Sequence, residues 1–189
     1  MNKKQMRQML RERVAAIGPE EAHARSVTAG GLLCAQREYQ SADVIMIFLS
    51  TAHEVETGQV ALQAWADLKR VLAPRVSWEQ RRMLPIEIKS LTTDVRAGLM
   101  GLREPIEGMP IPVADIDMVI VPGLGFDAQG NRLGRGRGFY DRFLAHRDFR
   151  GVACALAFEE QFVDLVPHDD TDVRVHMLVT DRQVRRFKR

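Results

Sequence analysis

Val121–Leu144 reads VPGLGFDAQGNRLGRGRGFYDRFL and follows directly on the apolar run Asp117–Ile120, DMVI. An apolar run that closes on Pro122 and opens into glycine describes a buried strand with a loop at its carboxyl end. Six of the chain's fourteen glycines and four arginines fall in this stretch. Gly134, Gly136 and Gly138 alternate with Arg135 and Arg137, so backbone can approach a ligand closely while guanidiniums pair with phosphate oxygens. The run matches neither the P-loop pattern GxxxxGK[ST] nor the nicotinamide fingerprint GxGxxG in its required setting. It predicts a phosphate-handling loop between a core strand and a helix from Gly138 to His146. Asp141 at that helix start suits one carboxylate of a magnesium site, a cap, or a partner for Arg132. Phe139 and Tyr140 read equally as core aromatics, and DAQG, Asp127–Gly130, as an ordinary turn.

Toward the amino terminus, Met6, Leu10, Val14 and Ile17 recur at helical spacing. Gly18-Pro19 breaks that helix, and Pro19 with Glu20 and Glu21 suits the first turn of a second one running toward Cys34. Asp43–Leu49 contains VIMIFL, a buried strand. Thr57 is placed to cap a helix whose apolar face comprises Val60, Ala61, Ala64, Trp65 and Leu68. Arg70–Ala73 and Met83–Ile88 read as strands, and the glycines and prolines from Gly98 to Pro112 predict a long wrapped connection. Gly151–Phe158 and Val175–Val179 are further strands, with a short edge strand at Val184–Phe187. Strands alternating with helices predict one domain over 1–189, an α/β three-layer sandwich around a mainly parallel central sheet. The pattern leaves strand order open.

At 189 residues and 46% hydrophobic, the chain is long enough for a substantial core. No stretch approaches the roughly 20 apolar residues of a membrane span, and the basic, amphipathic start argues against a secretory signal. Cys34 and Cys154 read as reduced, buried thiols without zinc-site spacing, so a cytoplasmic setting is expected. The net charge is only +2, yet basic residues gather at both ends: Lys3, Lys4, Arg7, Arg11 and Arg13, then Arg182, Arg185, Arg186, Lys188 and Arg189. These are solvated ends or contacts for a polyanion. Without a zinc finger, an RNP-like strand or aromatic–basic interleaving, no nucleic-acid partner is expected. Lys3 and Arg7, at i and i+4, form either a two-pronged cation site or a solvated helix turn.

The Val121–Leu144 run closely resembles the signature loop of the 5-formyltetrahydrofolate cyclo-ligases, VPGLAFD..G.RLG.G.GYYDR.L. Gly125 stands where Ala is usual, and Phe139 where Tyr is common. KKQMR resembles that family's N-terminal K...R element, and HEVETGQV the segment after its first core strand. Pro167–Asp181, PHDDTDVRVHMLVTD, resembles a late element in which His176 departs from the usual Asp. The resemblance implies a NagB/RpiA/CoA-transferase-like fold and ATP-dependent closure of 5-formyltetrahydrofolate to 5,10-methenyltetrahydrofolate, with release of ADP and phosphate. It implies that Lys3, Arg7 and the loop from Gly134 through Arg135, Gly136, Arg137, Gly138, Phe139 and Tyr140 to Asp141 bind the nucleotide. Lys3, Arg135 and Tyr140 would act in the reaction, and Asp141 and Asp172 would hold magnesium. Glu56, Met83, Tyr140 and Gln161 would contact the folate, with or without a polyglutamate tail. The sequence leaves the oligomeric state open, with a monomer favoured.

The residues alone leave plainer readings open. Glu54 and Glu56 share one face of an extended segment or are solvated; Met83 packs in the core; Gln161 of AFEEQ supports the loop or lies on the surface. Asp169, Asp170 and Asp172 read as a solvated acidic turn. Another ATP-dependent enzyme acting on a formyl, acyl or carboxyl group, or a noncatalytic nucleotide- or RNA-binding protein, are the competing functions.

Overall fold

Helical spacing, broken by Gly18-Pro19, produces α1 (Lys3–Ala15) and α2 (Pro19–Cys34), followed by the single turn α3 (Arg37–Gln40). In the computed structural model, which describes residues 1–98 and 101–188, the chain continues as β1 (Val44–Met46), α4 (Gly58–Ala66), β2 (Arg70–Ser77) and β3 (Arg82–Ile88). A hairpin, β4 (Val95–Ala97) and β5 (Arg103–Pro105), leads to β6 (Met118–Val121). A smaller hairpin, β7 (Gly125–Phe126) and β8 (Arg132–Leu133), precedes α5 (Phe139–Leu144). The chain then forms β9 (Val152–Leu156), β10 (Met177–Val179) and β11 (Val184–Arg186). Arg189 and part of the Gly98–Pro112 connection lie outside the described residues.

Seven strands make one sheet in the order β11-β10-β9-β6-β1-β2-β3. The five inner strands are parallel, and β3 and β11 pair antiparallel at the edges. Among the parallel strands, chain order reverses between β1 and β6. Connections leaving those two strands diverge, which opens a crevice at their carboxyl ends. The predicted mainly parallel α/β sheet is therefore present, and its order locates the site.

Alternation along the strands builds a core on each face. Met118 and Ile120 of β6 join Ile45, Val71 and Cys154 beneath α2 and α4. Val119 and Val121 face the other way, with Met46, Leu72 and Ala155, onto Phe143 and Leu144 of α5. Helix α1 packs elsewhere: its Met6 and Leu10 meet Leu124, Leu133 and Val166, so it rides on the β7–β8 hairpin. Its start is fixed by a capping box, Gln5 N donating to Asn2 Oδ1 at 2.9 Å and Asn2 N to Gln5 Oε1 at 3.1 Å.

Several local expectations need correction. Thr57 occupies the N-cap position of α4, but its hydroxyl donates to Phe48 O at 2.6 Å and ties down the β1 loop instead. Leu68 lies beyond α4 with φ 61° and is 93% exposed, so it terminates the helix rather than extending its apolar face. β2 runs to Ser77, four residues past the expected end, because β3 pairs with it from Val71 to Ser77. The turn α3 and the hairpins β4–β5 and β7–β8 were not expected.

The last strand is tied back to α3 by Arg186, which donates from Nε and Nη2 to the two oxygens of Glu38, each at 2.9 Å. That fork lowers the Glu38 carboxyl from its ordinary 4.5 to about 2. A carboxyl depressed on folding stabilises fully above its unfolded pKa, and the stabilisation is lost as pH falls through the folded value. Glu38→Gln is expected to cost about 1 kcal/mol at pH 7, modest because Arg186 is half-exposed. In paired denaturant titrations the difference should shrink between pH 4.5 and 2; a pH-independent difference contradicts the assignment.

Candidate active site

A cavity of about 630 Å³ opens where the strand order reverses. Its floor is the carboxyl ends of β1 and β6, Phe48, Leu49, Pro122 and Gly123. The sequence from Gly134 to Asp141 forms one side, with Lys3 and Arg7 of α1 facing it. Eight cationic and five acidic side chains line the cavity, a local positive excess that steers anions inward.

The glycines are required by geometry at the tip of this loop. Gly136 and Gly138 have φ of +101° and +66°, the left-handed region that costs other residues dearly. Arg7 Nε donates to Gly134 O at 2.9 Å and fastens α1 to the loop. Asp141 stands where the loop becomes α5, and its Oδ1 accepts from Arg132 Nη2 at 2.8 Å and from Val173 N at 3.2 Å. The second bond brings Asp141 beside the residue that follows Asp172. Lys3 Nζ lies 2.6 Å from both Asp172 and Asp169. Partial burial pulls the Lys3 amine down, but those two carboxylates outweigh it and hold it above its usual value.

Arg132 was assigned no ligand role from the sequence, yet it occupies the centre of this end. It is 5% exposed, donates to Pro122 O at 3.3 Å and lies over the Tyr140 ring at 5.8 Å. Its Nε is buried and has no acceptor in the protein, alone in this among the described side chains. A buried donor without a protein partner costs stability, so this nitrogen calls for an acceptor from outside the chain, a water or a ligand oxygen. Arg135 donates to Glu54 and to Thr51 Oγ1 from the opposite loop, and Arg137 lies over Trp78.

Tyr140 faces the cavity between Arg132 and Glu54. Burial and the Glu54 charge push its phenol up, keeping it a hydrogen-bond donor at neutral pH. Glu54 is held by Thr51 N at 2.9 Å and Thr51 Oγ1 at 3.0 Å, and it lines the cavity. Glu56 does not: it lies outside, 2.7 Å from His23 of α2. A turn at residues 52–54 breaks the two-residue alternation that would have put both carboxylates on one face. Met83 lines the cavity and also packs in the core. Gln161 is buried behind it, donating to Gly123 O at 2.7 Å and accepting from Phe158 N at 2.9 Å, so it braces the loop. His176 accepts Ala153 N at 2.8 Å through Nδ1, a strand contact away from the cavity.

The described residues include no cluster of three or more His, Cys, Asp or Glu side chains arranged around a metal. Asp141 and Asp172 both line the cavity and are the donor type magnesium takes, an ion that uses one or two carboxylates and completes its shell with phosphate oxygens and water. Cys34 and Cys154 are unpaired, and burial raises both thiols, so neither is an activated nucleophile.

Fold and site together define a class, an α/β protein with a cation-rich cavity at the switch point of a mainly parallel sheet. Within that class the chain belongs to the 5-formyltetrahydrofolate cyclo-ligase family, whose profile matches residues 1–181. The mouse 5-formyltetrahydrofolate cyclo-ligase is 32% identical over 186 residues, covering 92% of this chain and 90% of its own. The Escherichia coli K12 cyclo-ligase is 26% identical over 179 residues, covering 93% and 98%. The NMR structure of Aquifex aeolicus 5,10-methenyltetrahydrofolate synthetase matches with a TM-score of 0.87 at 26% identity, over 100% of this chain and 94% of that one.

Proposed function

We infer that this protein closes 5-formyltetrahydrofolate to 5,10-methenyltetrahydrofolate using ATP, releasing ADP and phosphate. The observation that carries the reading is the convergence of Lys3, Arg7, Arg132 and the glycine loop with Asp141 and Asp172 in one cavity. The same reading places the sheet in the NagB/RpiA/CoA-transferase-like class and the protein in the cytoplasm, which its two free thiols support.

The oxygen of an amide-like formyl group is a poor leaving group. ATP supplies the phosphoryl group that activates it, after which the folate's second reacting nitrogen closes the ring and no protein nucleophile is needed. Magnesium on Asp141 and Asp172 would offset the charge of the phosphates. The protein's own contribution is positional and electrostatic. Lys3 and Arg132, now paired with Asp172 and Asp141, are the cations available to phosphate, and the free Nε of Arg132 is directed to an oxygen acceptor. Arg7 holds α1 on the loop, so the Lys3 amine and the glycine backbone stay in register. Tyr140, kept protonated, orients the formyl oxygen or the nucleotide. Its position beside Tyr140 makes Glu54, rather than Glu56, the carboxylate that receives the folate's N–H donors.

Two measurements test this reading. Phosphate release from ATP should require 5-formyltetrahydrofolate; release with another formyl, acyl or carboxyl compound, and none with this folate, favours a different substrate. Glu54→Ala should raise the folate KM about tenfold or more, the worth of a charge-assisted hydrogen bond. Glu56→Ala should leave it within about twofold. The reverse ranking contradicts the assignment of Glu54.

A further inference from the structure

A single 3-10 helical turn, Glu159–Gln161, follows β9 and does not line the cavity, yet each of its three side chains is fixed. Glu159 accepts from Thr180 Oγ1 at 2.6 Å and pairs with Arg185. Glu160 pairs with Arg25 of α2, whose Nε also donates to Asp181 Oδ2 at 2.8 Å. The same guanidinium lies over the Phe158 ring at 5.3 Å. Asp181 completes the network by accepting Glu159 N through Oδ1 at 2.9 Å. The side chains of Arg25 and Asp181 are 14% and 7% exposed, so water screens this pair little.

Gln161 carries this network toward the site. It is 3% exposed with both ends of its amide engaged, Oε1 accepting Phe158 N and Nε2 donating to Gly123 O. Gly123 O and Leu124 N belong to one peptide plane, and Leu124 N donates to Leu133 O at 2.7 Å. That plane is therefore gripped from two sides, by Gln161 and by the residue between Arg132 and Gly134. A side chain on Gly123 would collide with the Phe126 ring, and a glycine turns freely, so its orientation has to come from a partner.

We propose that Gln161 is a positioning residue for the nucleotide end of the cavity. It acts through the Gly123–Leu124 peptide to keep Arg132 and the start of the glycine loop in register, and Arg25 fixes the turn from which it acts. The proposal rests on the cyclo-ligase reading. Helix α1 packs against the same turn, so the element that carries Lys3 and Arg7 takes its seat there too. Glu54, on the folate side, is held within its own loop by Thr51. Loss of the Gln161 donor therefore falls on ATP rather than on folate.

Turnover by the wild-type protein is recorded first, and its absence fails the cyclo-ligase reading itself. Gln161→Met keeps the length of the side chain and removes the donor. It should weaken equilibrium ATP binding and lower kcat about tenfold each, short of the roughly 10²-fold that a misplacement of about 1 Å can cost. Affinity for 5-formyltetrahydrofolate, measured by calorimetry without ATP, should stay within about twofold. Gln161→Glu has equal size but turns an oxygen toward the Gly123 carbonyl, and it should lose at least as much. Arg25→Lys keeps a cation without the fork to Glu160 and Asp181, and it should weaken ATP binding about threefold. If Gln161→Met yields no folded protein, Arg25→Lys carries the test. Unmoved ATP affinity in either folded variant overturns the proposal. So does an equal loss of folate affinity, the mark of general loosening.

Discussion

Asp127→Ala is expected to destabilise the protein by about 4 kcal/mol, lowering Tm by roughly 10 °C, and to take turnover down with it. The Asp127 carboxylate is fully buried and accepts four hydrogen bonds. Oδ1 takes Gln129 N at 2.9 Å and Asn131 N at 3.0 Å; Oδ2 takes Asn131 Nδ2 at 2.9 Å and Val166 N at 3.0 Å. Hydrogen bonds to charged groups contribute about 1.5–3 kcal/mol each, and truncation strands donors in a region that excludes water. The full sum is not reached, because the turn at Gln129 is exposed and can hydrate. Asp127→Asn is no conservative substitute, since one carboxylate oxygen becomes an N–H₂ facing two other donors. About half the loss is expected for it. The functional consequence follows from geometry: β7–β8 delivers Arg132 and the glycine loop, and Val166 leads to Asp169 and Asp172. Asp127 joins these two halves of the phosphate end. A denaturant midpoint unchanged by Asp127→Ala contradicts this account.

Asp141→Asn is expected to lower turnover on the order of 10²-fold while the fold persists. Both hydrogen bonds to Asp141 fall on one oxygen, and an amide oxygen can accept the same pair from Arg132 and Val173. What disappears is the charge that balances Arg132 and serves magnesium. The stability cost is therefore small, about 1 kcal/mol, compared with deletion of the side chain beside a buried cation. Steady-state rates across a magnesium titration, alongside thermal unfolding, check it. Wild-type kcat at every magnesium concentration contradicts the role given to this carboxylate.

Residues are legible in the sequence where their partners are local. Met6, Leu10 and Val14 announced α1 because a helix buries every third or fourth residue, and VIMIFL and DMVI announced doubly buried strands for equally local reasons. The glycine loop was legible because alternating glycine and arginine has few structural uses. Strand order was not, since parallel neighbours are paired through crossovers that leave no periodic trace. Asp127 looked like a turn former, because its side chain's most distant partner, Val166, is 39 positions away. Glu54 and Glu56 were indistinguishable by alternation; the turn at residues 52–54 leaves one facing inward and the other beside His23. Trp78 fell between the strands read at Arg70–Ala73 and Met83–Ile88, although Pro74, Val76 and Trp78 at period two were a usable sign of one strand face. Arg132 was masked by its more conspicuous neighbours, Arg135 and Arg137.

The central claim is that one cavity couples the fate of ATP to closure of the folate ring. The most direct test follows methenyltetrahydrofolate absorbance and released phosphate together, with purified protein, magnesium and 5-formyltetrahydrofolate, with and without ATP. Product that appears only with ATP, matched one-to-one by phosphate, is the expected result. Phosphate release without ring closure, or no product from a folded protein that binds both substrates, would contradict it.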